Sequence, residues 1–319
     1  MGLMRQALLW ASRNERLRQR VPHLGFVRRA VRQFMPGETL DAALAAARTL
    51  ADRGLPVILT HLGENVGDPG EADAAAEHYL EVLDRVAELG LDAEISVKLT
   101  HLGYDLDREA SVRRVERLAR DAGERGTHVW IDMESSPYVE GTLQAYRRLR
   151  AAFPNVGVCL QAYLRRTAAD LEALVPLEPS VRLVKGAYRE PREVAFPSRE
   201  EVDRSFFHLA VRARRLAEDG RLRLALGTHD VDLVRRVDRA SAAMEVGRRS
   251  YEVQMLYGIR PADQLRLAGA GYRVRVLIAY GPHWYPWYMR RLAERPANLL
   301  FVLRNLVGPG GAPGPPSAG

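Results

Sequence analysis

Residues 181–227 read VRLVKGAYREPREVAFPSREEVDRSFFHLAVRARRLAEDGRLRLALG. A short apolar run with branched side chains, Val181–Lys185, is followed by a loop. Then comes Arg199–Glu218, where apolar residues recur at helical spacing, and a second apolar run, Leu222–Gly227. Strand, amphipathic helix, strand is the pattern of a parallel β–α–β unit.

The same pattern repeats in both directions. Strands are expected near Pro56–Thr60, Glu94–Leu99, His128–Asp132 and Val156–Gln161 before the quoted stretch, and near Tyr251–Met255 and Arg273–Ala279 after it. Amphipathic helices are expected at Glu71–Leu89, Arg108–Ala122 and Val231–Ala240. The count of eight strands alternating with helices points to a closed (βα)8 barrel of the TIM type. An open doubly wound sheet is the alternative, weakened by the lack of GxGxxG after the first strand. Helical character at Leu3–Arg20, Gly25–Phe34 and Thr39–Arg53 predicts accessory N-terminal helices over residues 1–54, packed on a catalytic barrel at 55–307. The Gly/Pro-rich end, 308–319, reads as a disordered tail.

Composition narrows the function. With 47% hydrophobic and 27% charged residues over 319 positions, the chain reads as soluble and globular. No stretch approaches the ~20 apolar residues of a membrane span. A cytoplasmic location is expected, and the arginines and leucines of the N-terminal segment allow a weak peripheral membrane association. The net charge of +7 comes from arginines spread among acidic residues, which is the pattern of solvated helix faces and not of a nucleic-acid-binding patch. Cys159, the single cysteine, reads as a small buried hydrophobe. Only two of the 47 basic residues are lysines, Lys98 and Lys185, and each ends a strand. Lysine is kept where a compact ammonium is needed.

In such barrels the chemistry occupies the C-terminal strand ends. Reading past each strand yields Glu64, Lys98, Asp132 with Glu134, Gln161, Arg182 with Lys185, Thr228 with His229, and Glu252 with Gln254. Asp132 also suits a helix cap, His229 a structural histidine, and Gly186 a turn. No His, Cys or Asp group has convincing metal-ligand spacing, so no metal is expected. After the last strand, WYPWYMRR places Arg290 and Arg291 on a helix whose first turn suits Pro286. Guanidinium forks among aromatics suit a carboxylate or a phosphate.

The segments LGEN, SVKL, IDME, LVKGAY and YMRRLAERPANLL, in this order, resemble the proline dehydrogenases, and more narrowly their short monofunctional bacterial members. The resemblance covers about Leu55–Leu306. It implies a distorted (βα)8 barrel with non-covalent FAD, oxidation of L-proline to Δ1-pyrroline-5-carboxylate, and electrons passed to a membrane quinone. It implies catalytic roles for Asp132 and Arg182, the latter near flavin N5. It implies substrate contacts from Lys98, Arg290 and Arg291, with Glu64 able to pair with the first arginine and gate the site. Met133, Gln161, Arg182, Lys185, Gly186, Ala187, Thr228 and His229 match flavin-binding positions. Two positions depart from the pattern. Trp287 and Leu277 stand where the family often has tyrosines, and Leu277 bears on proline-versus-hydroxyproline preference. Hydroxyproline oxidation and a lysine Schiff-base barrel, with Lys98 or Lys185 bound to a carbonyl or pyridoxal phosphate, are the alternatives.

Overall fold

The computed structural model describes residues 10–11, 14, 16–17, 21, 31–242 and 250–294. The chain divides into two compact units, Gln33–Trp284 and a smaller one that includes Tyr285–Glu294. The expected helices at Leu3–Arg20 and Gly25–Phe34 fall mostly outside the described residues, and the tail at 308–319 entirely so.

Eight parallel strands close a ring in chain order. They are β1 (Val57–His61), β2 (Ala93–Val97), β3 (Val129–Ile131), β4 (Val156–Gln161), β5 (Ser180–Val184), β6 (Arg223–Gly227), β7 (Tyr251–Leu256) and β8 (Arg273–Tyr280). Ring closure is the pairing of β1 with β8, from Val57 against Val276 to His61 against Tyr280. Each strand lies within a residue or two of its sequence expectation, because a strand buried on both faces announces itself as an apolar run.

The helices whose full extent lies among the described residues are α1 (Leu40–Ala51), α2 (Pro69–Glu88), α3 (Arg108–Glu124), α4 (Ser136–Ala152), α5 (Thr167–Leu174), α6 (Arg199–Glu218), α7 (Val231–Ala242), α8 (Pro261–Gly269) and α9 (Trp284–Glu294). Their starts are encoded locally. The Thr39 hydroxyl accepts from Ala42 N, Asp68 accepts from Gly70 N and Glu71 N, and Asp107 accepts from Ala110 N. Ser198 and Glu201 form a reciprocal capping box at α6. Among the described residues no helix is long and apolar enough to cross a membrane.

Outward-facing strand residues such as Val57, Leu59, Ile95, Val97, Val129 and Ile131 join the helices in the main core. The alternate residues turn inward. Ile58, Trp130 and Ala225 form a separate apolar cluster, with Leu277 packed on it. Around this cluster the interior is polar. Arg275 on β8 pairs with Glu252 (3.1 Å), Asp92 (2.8 Å) and Glu94 (3.6 Å). Arg223 also pairs with Glu94. These residues fall within the first three positions of their strands, or in the case of Asp92 immediately precede one. The N-terminal end of the barrel therefore carries a buried ionic cluster where branched apolar side chains are the common filling. Glu252, expected from the sequence at a strand's functional end, belongs to this cluster instead. It is the second residue of β7 and lies in register with Ala225 on β6.

Candidate active site

The pleat of β2 turns Glu94, Ser96 and Lys98 to one side. Lys98, the first residue after Val97, is buried, with 8% exposure. Its Nζ lies 3.3 Å from Asp132 Oδ2, and Asp132 is the residue that follows β3. The other Asp132 oxygen accepts from Ser96 Oγ at 2.8 Å and from Arg182 Nη2 at 2.9 Å. Arg182, at the middle of β5, is also buried. It donates from Nη2 to Ser96 Oγ (2.6 Å) and from Nε to Cys159 Sγ (3.1 Å).

Burial pushes the Asp132 carboxyl up, but the charges of Lys98 and Arg182 and the Ser96 hydrogen bond outweigh it, and the net shift is below the ordinary value. Asp132 is therefore ionised at neutral pH. Lys98 and Arg182 bring two positive charges against that one carboxylate, a balance that favours an anionic ligand.

Glu134 behaves in the opposite way. It is almost completely buried and accepts from Thr100 Oγ1 (2.6 Å) and Thr100 N (3.2 Å). Burial pushes its carboxyl up to about 7; the Thr100 hydrogen bond and Lys98 pull down, and Glu64 adds to the rise. Two carboxyl groups two residues apart thus hold different charge at pH 7. The shift has a consequence for stability. Below the ordinary carboxyl value of 4.5 both folded and unfolded chains hold this proton. Between pH 4.5 and 7 the unfolded chain releases it first, so stability is lost as pH rises. Glu134→Gln keeps an acceptor for Thr100 and removes the titration. It is expected to gain on the order of 3 kcal/mol over wild type between pH 5 and pH 8, read from urea melts at the two pH values.

Gln161 closes β4. Its amide donates to Met133 O and Glu134 O, both at 3.2 Å, while Oε1 is buried without a protein partner. Arg182 Nη1 and Gln254 Oε1 are likewise buried and unpartnered. Buried polar atoms without partners are rare and call for a ligand. Beyond β5, Gly186 has φ +111°, and a Cβ there would meet the Tyr163 ring at 2.3 Å. Only glycine fits that close approach. Lys185 is engaged by Asp203 (2.5 Å) and Asp230 (2.9 Å), and Ala187 follows half-buried. Thr228 is buried and its hydroxyl accepts from Asp230 N; His229 Nε2 accepts from Leu256 N at 3.4 Å.

Met133 is buried beside Asp132, and Glu64 is half-buried in the loop after β1. Leu277 is half-buried against Ile58, Trp130 and Ala225. In α9, Trp287, Tyr288 and Arg290 are buried and Arg291 is half-buried, as expected for neighbours pointing ~100° apart on a helix. Pro286 lies in the first turn of α9. The structure thus brings Lys98, Asp132 and Arg182 into direct contact. It adds Ser96 and Cys159 to them, which the strand-end reading passed over. Both stand at inward positions of apolar strands, and that alternation was the available signal.

The family model described as "Proline dehydrogenase" matches residues 43–304. Proline dehydrogenase 1 of Bacillus subtilis (strain 168) is 36% identical over 305 residues, covering 96% of this chain and 99% of that protein. Proline dehydrogenase of Deinococcus radiodurans is 33% identical over 280 residues, covering 86% of this chain and 89% of that one. Among solved structures, proline utilization A from Bdellovibrio bacteriovorus, inactivated by N-propargylglycine, superposes with a TM-score of 0.79 at 22% identity, covering 94% of this chain and 39% of that one. At that identity the structural likeness speaks for the fold alone.

Proposed function

The chain belongs to the proline dehydrogenase family, and on that premise we propose that it oxidises L-proline to Δ1-pyrroline-5-carboxylate, the first step of proline catabolism, with a non-covalent FAD. The carrying observation is the convergence of Lys98, Asp132 and Arg182 beside buried polar atoms that lack protein partners.

The residues fit a flavin. Its ring edge alternates donors and acceptors, and the barrel offers an unpaired acceptor at Gln161 Oε1 and an unpaired donor at Arg182 Nη1. Gly186, with no side chain and φ +111°, lets the backbone after β5 pass against the Tyr163 ring. Met133, Gln161, Arg182, Lys185, Gly186, Ala187, Thr228 and His229 would hold the cofactor. When bound, flavin supplies the acceptor for the hydride lost from proline.

The protein's own residues do the rest. Arg290 and Arg291 bind the substrate carboxylate as guanidinium forks. Lys98 adds a third positive charge, and Glu64 pairs with the arginine side of the site and gates it. Asp132 stays ionised, orients Lys98 and Arg182, and prevents the two cations from repelling each other out of place. Fixing the small ring by its carboxylate leaves little freedom at the reacting carbon, so geometry carries much of the rate. Arg182 stabilises negative charge that develops beside it. Leu277 and Trp287 line the substrate's surroundings. Leu277 has bulk but no hydroxyl, so rejection of hydroxyproline is less strict than with tyrosine there. Electrons leave to a membrane quinone, with a weak peripheral association bringing the two together. The test is formation of pyrroline-5-carboxylate from L-proline with a soluble quinone as acceptor. Proline-dependent product supports the reading, and no product with flavin bound removes proline as substrate.

A further inference from the structure

Arg182 stands on a tryptophan. Its Cζ lies 5.0 Å from the centroid of the Trp130 ring. Trp130 is fully buried inside the barrel, and its indole N–H donates to Glu94 Oε2 at 2.6 Å. Glu94 is itself held by Arg223 and Arg275. Arg223 also lies over the Trp130 ring, at 5.3 Å, and His128 packs on it with ring centroids 4.9 Å apart. A Cβ at Gly157 would come within 2.6 Å of two ring carbons, so that glycine makes room for the indole. The ring is thus pinned at its N–H and confined on its faces.

Arg182 has three nitrogens to place. Nε is bound to Cys159 Sγ, and Nη2 to Ser96 Oγ and Asp132 Oδ1. These contacts tie two nitrogens, but Asp132 is shared with Lys98. An indole face beneath the guanidinium resists tilting out of plane through a cation–π contact, which is strong where water is excluded. Donation of the indole N–H to a carboxylate makes the ring richer in electrons, which strengthens that attraction.

We propose that Trp130, pinned by Glu94, is a positioning residue for proline oxidation: it fixes the plane of Arg182 so that Nη1 is presented to the bound cofactor. This rests on the reading of Arg182 as a flavin neighbour. The ionic cluster at the N-terminal end of the barrel then has a second purpose, as the foundation of the site.

The experiment compares wild-type holoenzyme with Trp130→Phe and Trp130→Leu. Three quantities are read: the midpoint potential of the bound flavin, the limiting rate of its anaerobic reduction by L-proline, and the half-saturating proline concentration. Trp130→Leu is expected to lower the limiting rate about tenfold and the potential by about 30 mV, the two-electron equivalent of tenfold. Half-saturation stays within about twofold of wild type, and Trp130→Phe falls between. A potential and rate equal to wild type in Trp130→Leu overturn the proposal. So does a rise in half-saturation with the potential unmoved, which is the mark of a merely structural role. A flavin-independent readout separates this proposal from the functional reading. In a thermal double-mutant cycle of Trp130→Phe and Arg182→Lys on the full chain, non-additive melting temperatures support the contact, and additive ones refute it even if wild type binds no flavin.

Discussion

Arg275→Met is expected to lower the stability of the protein by about 3–5 kcal/mol. Arg275 is 5% exposed and neutralises two carboxylates that are equally hidden, Glu252 at 3% and Glu94 at 5%. Burial alone pulls its charge down, yet Glu252, Glu94 and Asp92 hold the guanidinium above its ordinary value. It also donates from Nη1 to Val57 O at 3.2 Å, joining β8 to β1 at the ring closure. Methionine preserves the bulk, leaves Glu252 buried without its counter-charge and leaves Glu94 with Arg223 alone. That is the expensive way to break a buried pair, whereas removing charge on both sides is cheap. Arg275→Met combined with Glu252→Gln is therefore expected to recover part of the loss. Arg117→Met is the control. Arg117 pairs with Glu77 on the exposed faces of α3 and α2, and its loss is expected to leave the melt close to that of wild type. Urea melts of the four proteins decide the matter, and an Arg275→Met variant within about 1 kcal/mol of wild type contradicts the account of the barrel floor.

Arg291→Met is expected to raise the half-saturating L-proline concentration by roughly 30- to 1000-fold, the equivalent of about 2–4 kcal/mol for a charged hydrogen-bonded contact. Its melting temperature is expected to remain close to wild type, because Arg291 is half-buried, whereas Arg290 beside it is 9% exposed and contributes to packing as well. Arg290→Met is therefore the less clean probe, since it mixes lost binding with lost stability. The measurement is the proline dependence of flavin reduction together with a thermal melt. Unchanged proline affinity in Arg291→Met removes the carboxylate role from this side chain.

Much of the fold was legible because each of its strands is an apolar run between amphipathic helices. The bounds of β4 and α6 agree with the sequence reading to the residue. The strand-end rule also put Lys98, Asp132 and Gln161 at strand ends, which is where they stand. It failed at Glu252 because position along a strand, and with it the layer of the barrel a side chain joins, depends on register with neighbouring strands. It passed over Ser96, Trp130 and Glu94 for a related reason. Polar residues at every second position of EISVKL signalled an inward polar stripe, but which partners face it across the barrel is set by closure of the ring. The raised carboxyl of Glu134 was equally illegible, since it follows from burial, against the pull of Thr100 and Lys98, and not from residue type. The aromatic surroundings of Arg290 and Arg291 pointed to an anionic ligand, and the motif resemblance alone narrowed it to a substrate carboxylate.

The most direct measurement is the visible absorption of the purified protein before and after anaerobic addition of L-proline. Flavin bands that bleach with proline in a saturable way are the result expected, and they join cofactor, substrate and barrel in one observation. Flavin bands that persist under saturating proline contradict proline oxidation and bring hydroxyproline forward, through Leu277. A protein that takes up no flavin even when supplied with FAD contradicts the account at its root.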